Sequence, residues 1–233
     1  MPDEVDRLLD RIEKLEERER FADALKVCRR ACEIAPEEPA AWEARGETAL
    51  RSGVPGEAAE ALDRLTRLEP GSADGWFRLG EALQWCGRHR DADTCFERAA
   101  VLDPDDHVRP FRITPEEFER VTGSVLRTLP PQVTDFLESS GTGVVVRQLP
   151  APEMVSEDRL DPHALGYWLG NVYGAAAGWG ETTPAAIEIY QLNIENWCAD
   201  RGGLIEEIRR TVLHEVGHAV GMDHATLQAD GYA

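Results

Sequence analysis

Apolar positions in the first hundred residues recur on a period of 34. Trp42 and Trp76 share it, as do Leu62 and Phe96, and Ala58 and Ala92; Ala24 carries the alanine series back one step. Gly46 and Gly80 keep the same spacing, and so do Pro36, Pro70 and Pro104. A fixed period of this length marks a stack of like supersecondary units. Farther along, Thr114-Pro115-Glu116-Glu117 opens a helix, with threonine as N-cap, proline in the first turn and glutamate at the third helical position. Phe118, Val121 and Leu126 give that helix an apolar face, and Pro130-Pro131 stop it. The valines up to Val146 predict a short strand over 143–146. Ile187-Glu188-Ile189-Tyr190-Gln191 alternates with period two and predicts another strand. Leu204, Ile208 and Val212, four apart, predict an amphipathic helix opened by Asp200.

The 34-residue unit resembles the tetratricopeptide repeat, in three copies near 5–38, 39–72 and 73–106. The third, WFRLGEAL…DADTCFERAAVLDP, is close to the family pattern. The first has Leu8 for the tryptophan and Ile12 for the glycine, as a terminal cap does. The resemblance implies paired helices. The tryptophan fills the space between neighbouring pairs, the glycine lets the two helices approach, and the alanine sits at their closest crossing. It also implies a concave groove faced by Glu13, Glu43, Glu47, Asp74, Phe77, Glu81 and Trp85. Such a groove is acidic with aromatics, and suits a basic extended peptide if it is more than a solvated face. Cys28 and Cys32 are four apart on a helix. Cys28 falls where the later copies have Leu62 and Phe96, which makes it a core residue.

Composition narrows the function classes. In 233 residues, 42% are hydrophobic and 30% charged, which describes a folded chain with room for one large or two modest domains. The net charge, 25 − 44 = −19, would repel phosphate, so no nucleic-acid partner is expected. No run of 18 apolar residues is present, so no membrane partner is expected either. The N-terminus is charged from its third residue, unlike a secretory leader. Five cysteines, odd and sparse, point to a reducing cytoplasm.

The chemistry lies in His214-Glu215-Val216-Gly217-His218-Ala219-Val220-Gly221-Met222-Asp223-His224. His214 and His218, four apart on a helix, bring their imidazoles to one side about a turn apart, the reach of two ligands of one zinc. Glu215, beside the first of them, leans over the open metal position, where it can take a proton. Gly221 ends the helix and turns the chain back, which brings His224 round as a third ligand. Three protein ligands and an open position describe a catalytic zinc site.

From Arg112 to His224 the chain resembles the bacterial minimal metalloproteases, a zincin-like group. The match runs through ITPEEFERV, DPHALGYWLG, IEIYQLNIENWC and LIEEIRRTVLHEVGHAVGMDH. It implies an α+β domain with a small sheet beside the metal helix, in which the strand at 187–191 is an edge that pairs with an extended peptide or else an ordinary strand packed on that helix. By this resemblance His214, His218 and His224 are metal ligands and Glu215 is the catalytic acid/base, with Asp223 as the alternative third ligand or its supporting partner. Nine residues follow His224 and none is methionine, so the methionine turn of the full metzincins is missing. Trp168, Tyr173, Trp179 and Trp197 could line a cleft or fill the core. The expected architecture is α+β overall: an all-α repeat solenoid over 1–106, then a zincin-like domain over 107–233. The expected activity is zinc-dependent hydrolysis of peptide bonds in a peptide or protein substrate that the repeats recruit. The alternative is a non-catalytic interaction scaffold whose metal site is structural or vestigial.

Overall fold

The computed structural model describes residues 2–157, 160–170 and 185–220. In chain order the helices α1 (Pro2–Glu16), α2 (Phe21–Ile34), α3 (Pro39–Arg51), α4 (Pro55–Leu68), α5 (Ala73–Trp85) and α6 (His89–Leu102) come first. Then follow α7 (Pro115–Leu126), α8 (Pro131–Ser140), β1 (Gly143–Arg147), α9 (Pro152–Ser156), β2 (Gly166–Leu169), β3 (Ala186–Tyr190), α10 (Gln191–Glu195) and α11 (Arg201–Ala219). The chain divides into two compact units, residues 1–110 with 150–162, and residues 111–149 with 163–233. Among the described residues no helix is long and apolar enough to cross a membrane.

The first unit is a row of antiparallel helix pairs, and the 34-residue period has a physical cause at each position. A Cβ on Gly46 would lie 2.5 Å from Cγ of Leu62, and one on Gly80 would lie 2.7 Å from Cε1 of Phe96. Glycine is what lets the two helices of each pair meet. Ala24, Ala58 and Ala92 are fully buried at the crossings. The indole of Trp42 donates to the carbonyl of Pro36 at 3.0 Å, and that of Trp76 to Pro70 at 3.1 Å. Each ring thereby ties a helix to the proline closing the previous copy.

The turn inside each pair repeats as well. Gly53 and Gly87 take φ of +71° and +70° after α3 and α5. Their N–H groups, and those of the residues after them, return to the last carbonyls of the helix: Gly53 to Leu50, Val54 to Ala49, Gly87 to Gln84, and Arg88 to Leu83. This double bond pattern with a left-handed residue satisfies carbonyls that the helix end leaves free. The first copy makes the same turn with Glu19, at φ +54°, where Glu19 reaches Glu16 and Arg20 reaches Leu15.

The second unit is α+β, as expected. Thr114 caps α7, its hydroxyl accepting from the Glu117 N–H at 3.2 Å. Asp200 caps α11 in the same way, accepting from Gly203 at 2.9 Å. The sheet has the order β1-β3-β2, with β1 parallel and β2 antiparallel to β3. The strand expected at 187–191 is therefore the central one, and its edge is not free to pair with a peptide. Among the described residues the edges are β1 and β2. Ile187 and Ile189 of β3, Phe118 and Val125 of α7, Ile194 of α10, and Leu204, Ile208 and Val212 of α11 form one buried core. Glu195, 1% exposed, is kept in that setting by Gln191 Nε2 at 2.8 Å and Arg112 at 3.3 Å.

Candidate metal centre

The apolar stripe of α11 sets the helix rotation, since Leu204, Ile208 and Val212 are all fully buried. With that rotation fixed, His214 and His218 stand one turn apart and partly buried. Their Nε2 atoms are 3.0 Å apart, and the ring centroids are 4.6 Å apart at 84°. Two nitrogens held about 2.0–2.1 Å from one zinc at a tetrahedral angle stand about 3.3 Å apart. The pair thus has nearly the spacing that a shared ion requires, and neutral imidazole is a donor zinc accepts. Among the described residues no group of three histidine, cysteine or carboxylate side chains forms a metal cage. His224, the expected third ligand, and Asp223 lie outside the described residues, as do Gly221, Met222, Tyr173 and Trp179.

Glu215 turns toward β2 and is 7% exposed. Burial pushes its carboxyl up to about 7, against the pull of the main-chain N–H of Trp168, which donates to it. That strand lies close because residue 166 is glycine. A Cβ there would meet Thr211 Cγ2 at 2.7 Å, the Glu188 carbonyl at 3.0 Å and Glu215 Cγ at 3.2 Å. The same side of the helix carries Thr211 Oγ1, which is buried without a hydrogen-bond partner. Gly166 and the Trp168 main chain are the site components that the sequence did not announce. Of the two places open to Trp168, cleft or core, its ring takes the core, while its main chain meets Glu215. Trp197 is half exposed.

Cys28, Cys32, Cys95 and Cys198 are buried and belong to packing, while Cys86 is exposed. Cys28 donates to Thr48 Oγ1 at 3.4 Å, and burial pushes Cys28, Cys32 and Cys95 up to about 11, away from the thiolate a metal needs.

The expected acidic groove of the repeats needs correction. Phe77 is buried, its ring edge-on to Phe96 at 5.2 Å between centroids and 5.0 Å from His107. Glu81 is buried too. Glu47 accepts from Arg51 at 2.9 Å and from Arg78 at 2.7 Å. Reading each helix alone shows the glutamates of α3 and hides the arginine that α5 sets against them. The resulting face mixes both signs, with Arg78 beside Glu43 and Glu47, and is less acidic than the sequence alone implies.

Residues 140–232 match the zincin-like metallopeptidase family, and residues 39–82 and 73–106 match tetratricopeptide repeat families. No curated protein matches the chain. Among solved structures, MamA is 21% identical over 44% of this chain and 60% of its own, with a TM-score of 0.42, so the chain spans less than two thirds of MamA. The tetratricopeptide domain of Sgt2 from Aspergillus fumigatus is 24% identical over 44% of this chain and 68% of that one, with a TM-score of 0.42. The Yersinia enterocolitica type III secretion translocator chaperone SycD is 16% identical over 59% of this chain and 91% of its own, also with a TM-score of 0.42.

Proposed function

For a chain that joins tetratricopeptide repeats to a zincin-like metallopeptidase domain, we propose zinc-dependent hydrolysis of peptide bonds, with the repeats binding a protein or peptide. The observation that carries this reading is the 3.0 Å approach of the two Nε2 atoms on α11, with Glu215 buried beside them. His214, His218 and His224 would hold the ion. When bound, zinc supplies a Lewis acid for the scissile carbonyl and makes water more acidic.

Glu215 is the proton carrier. It takes a proton from the attacking water and returns it to the amine that leaves. The Trp168 N–H keeps its carboxylate aimed, and the close seat of Gly166 keeps β2 against the helix. Among the described residues β2 is an edge strand, and it lies beside Glu215, so an extended substrate adding to that edge would lie next to the proton carrier. Tethering a binding module to the catalyst raises the local concentration of whatever the repeats hold.

The test is metal content by mass spectrometry together with cleavage of a peptide library. Wild type and Glu215→Gln are expected to carry about one zinc per chain, and His218→Ala none. Cleavage by Glu215→Gln is expected to fall by roughly 10²- to 10⁴-fold. Retained cleavage would remove Glu215 from its role. Zinc without cleavage in the wild type would favour the scaffold reading.

A further inference from the structure

On a chain of net charge −19, one cleft of the second unit is lined by arginine. It lies between α7 and α11 and encloses about 280 Å³. Val121 and Val125, both buried, and Ile205 give it an apolar floor, and Arg120, Arg201 and Arg209 stand around it. Against these three cations the lining carries one carboxylate, Glu117.

The guanidinium groups are held in place. Arg201 binds Glu117 at 2.5 Å. Arg209 donates to the Thr128 hydroxyl at 3.0 Å and to its carbonyl at 3.3 Å, and its Nε lies 3.8 Å from a carboxylate oxygen of Glu206. Arg120 donates to the Glu116 carbonyl at 3.2 Å. Each of these uses one or two of the five N–H donors that a guanidinium carries. Apart from the Arg209 Nε, which faces Glu206, the others can serve a ligand, and a fixed fork loses little freedom on binding a carboxylate.

Spacing then selects the ligand. Arg201, Ile205 and Arg209 form one stripe of α11, and eight residues of helix put its two arginines about 12 Å apart. Four residues of extended chain cover about 13 Å. In an extended chain residues i, i+2 and i+4 share a face. We propose that this cleft docks an extended, acidic segment of a partner protein with the pattern acidic–x–apolar–x–acidic. Its outer carboxylates lie against Arg201 and Arg209, with Arg120 adding to the field, and its central apolar side chain rests on Ile205, Val121 and Val125. An inorganic anion would leave that apolar floor unused.

The experiment is fluorescence anisotropy of the fluorescein-labelled peptide Asp-Ser-Leu-Ser-Asp on the full chain, with no metal added, so its outcome is separate from that of the hydrolysis assay. Saturable binding is expected. It should weaken about tenfold when both aspartates become asparagine, and about 3- to 10-fold in Arg120→Gln. Ile205→Ser should remove the advantage of the leucine peptide over Asp-Ser-Ser-Ser-Asp. Arg120 bonds a main-chain carbonyl and can be changed with little risk to the fold; circular dichroism checks this, and Arg209→Gln serves as the second variant. Equal binding of the asparagine peptide overturns the proposal. So does inorganic phosphate displacing the leucine and serine peptides alike at the same concentration, which would make the cleft an anion site with no preference for a peptide.

Discussion

Glu19 occupies the position that Gly53 and Gly87 occupy in the next two copies, 34 and 68 residues on. All three take positive φ and close the same pair of hydrogen bonds. For a residue with a Cβ, the left-handed conformation costs about 1–2 kcal/mol, of which glycine avoids most but gives some back as chain entropy. Glu19→Gly is therefore expected to stabilise the first unit by about 1 kcal/mol, read as a higher urea midpoint at unchanged slope. A lower midpoint would mean that the Glu19 side chain contributes more than its backbone costs. The two glycines were legible in the spacing, while Glu19 was not, because glycine alone announces a positive φ. The metal site shows the same limit. His214, Glu215 and His218 follow from helical spacing within one element. Gly166 and the Trp168 N–H acquire meaning only once β2 lies on α11.

At the scale of the element, two glycines in helices should answer the same substitution with opposite signs. Replacing a helical glycine by alanine gains up to about 1 kcal/mol of helix propensity. On Gly56 of α4 a new Cβ meets nothing within 4 Å, so Gly56→Ala should keep that gain, reduced by its place in the first turn. On Gly80 of α5 the Cβ would sit 2.7 Å from a fully buried Phe96 ring that has nowhere to go. Overpacking of that kind costs about 1–3 kcal/mol, so Gly80→Ala should destabilise. Thermal denaturation of the two variants against wild type checks the pair; a shift of the same sign in both would break the packing argument. Helix pairs, caps and a strand at 187–191, found at 186–190 because Gln191 opens α10, were readable from local pattern. The order of the strands was not. β2 has four residues, Gly166–Leu169, too few for alternation to show, so β3 seemed to be an edge when it is the centre. Helices α9 and α10 escaped notice for a like reason, each spanning only five residues.

The whole molecule carries separate hydrophobic cores, and metal binding should act on only one of them. The repeats bury Leu62, Leu65, Phe77, Leu83 and Phe96, while the second unit buries Phe118, Ile187, Ile189, Leu204, Ile208 and Val212. No residue is shared between these two sets. An ion that binds the folded state stabilises it by RT ln(1 + [L]/Kd), about 4 kcal/mol at a thousandfold excess over Kd. That energy enters through α11, whose buried stripe belongs to the second core. Hydrogen–deuterium exchange resolves the effect by segment. Adding a chelator should speed exchange across 204–216 and across α7, which packs on α11, and leave 58–65 and 92–99 as they were. Protection unchanged everywhere would mean that the histidine pair holds no ion in the folded chain. Loss of protection in the repeats as well would mean that the cores, though built from different residues, unfold as one. The selective loss alone fits an ion seated where His214 and His218 bring their nitrogens together, because only the core that fixes the rotation of α11 has its stability tied to that pair.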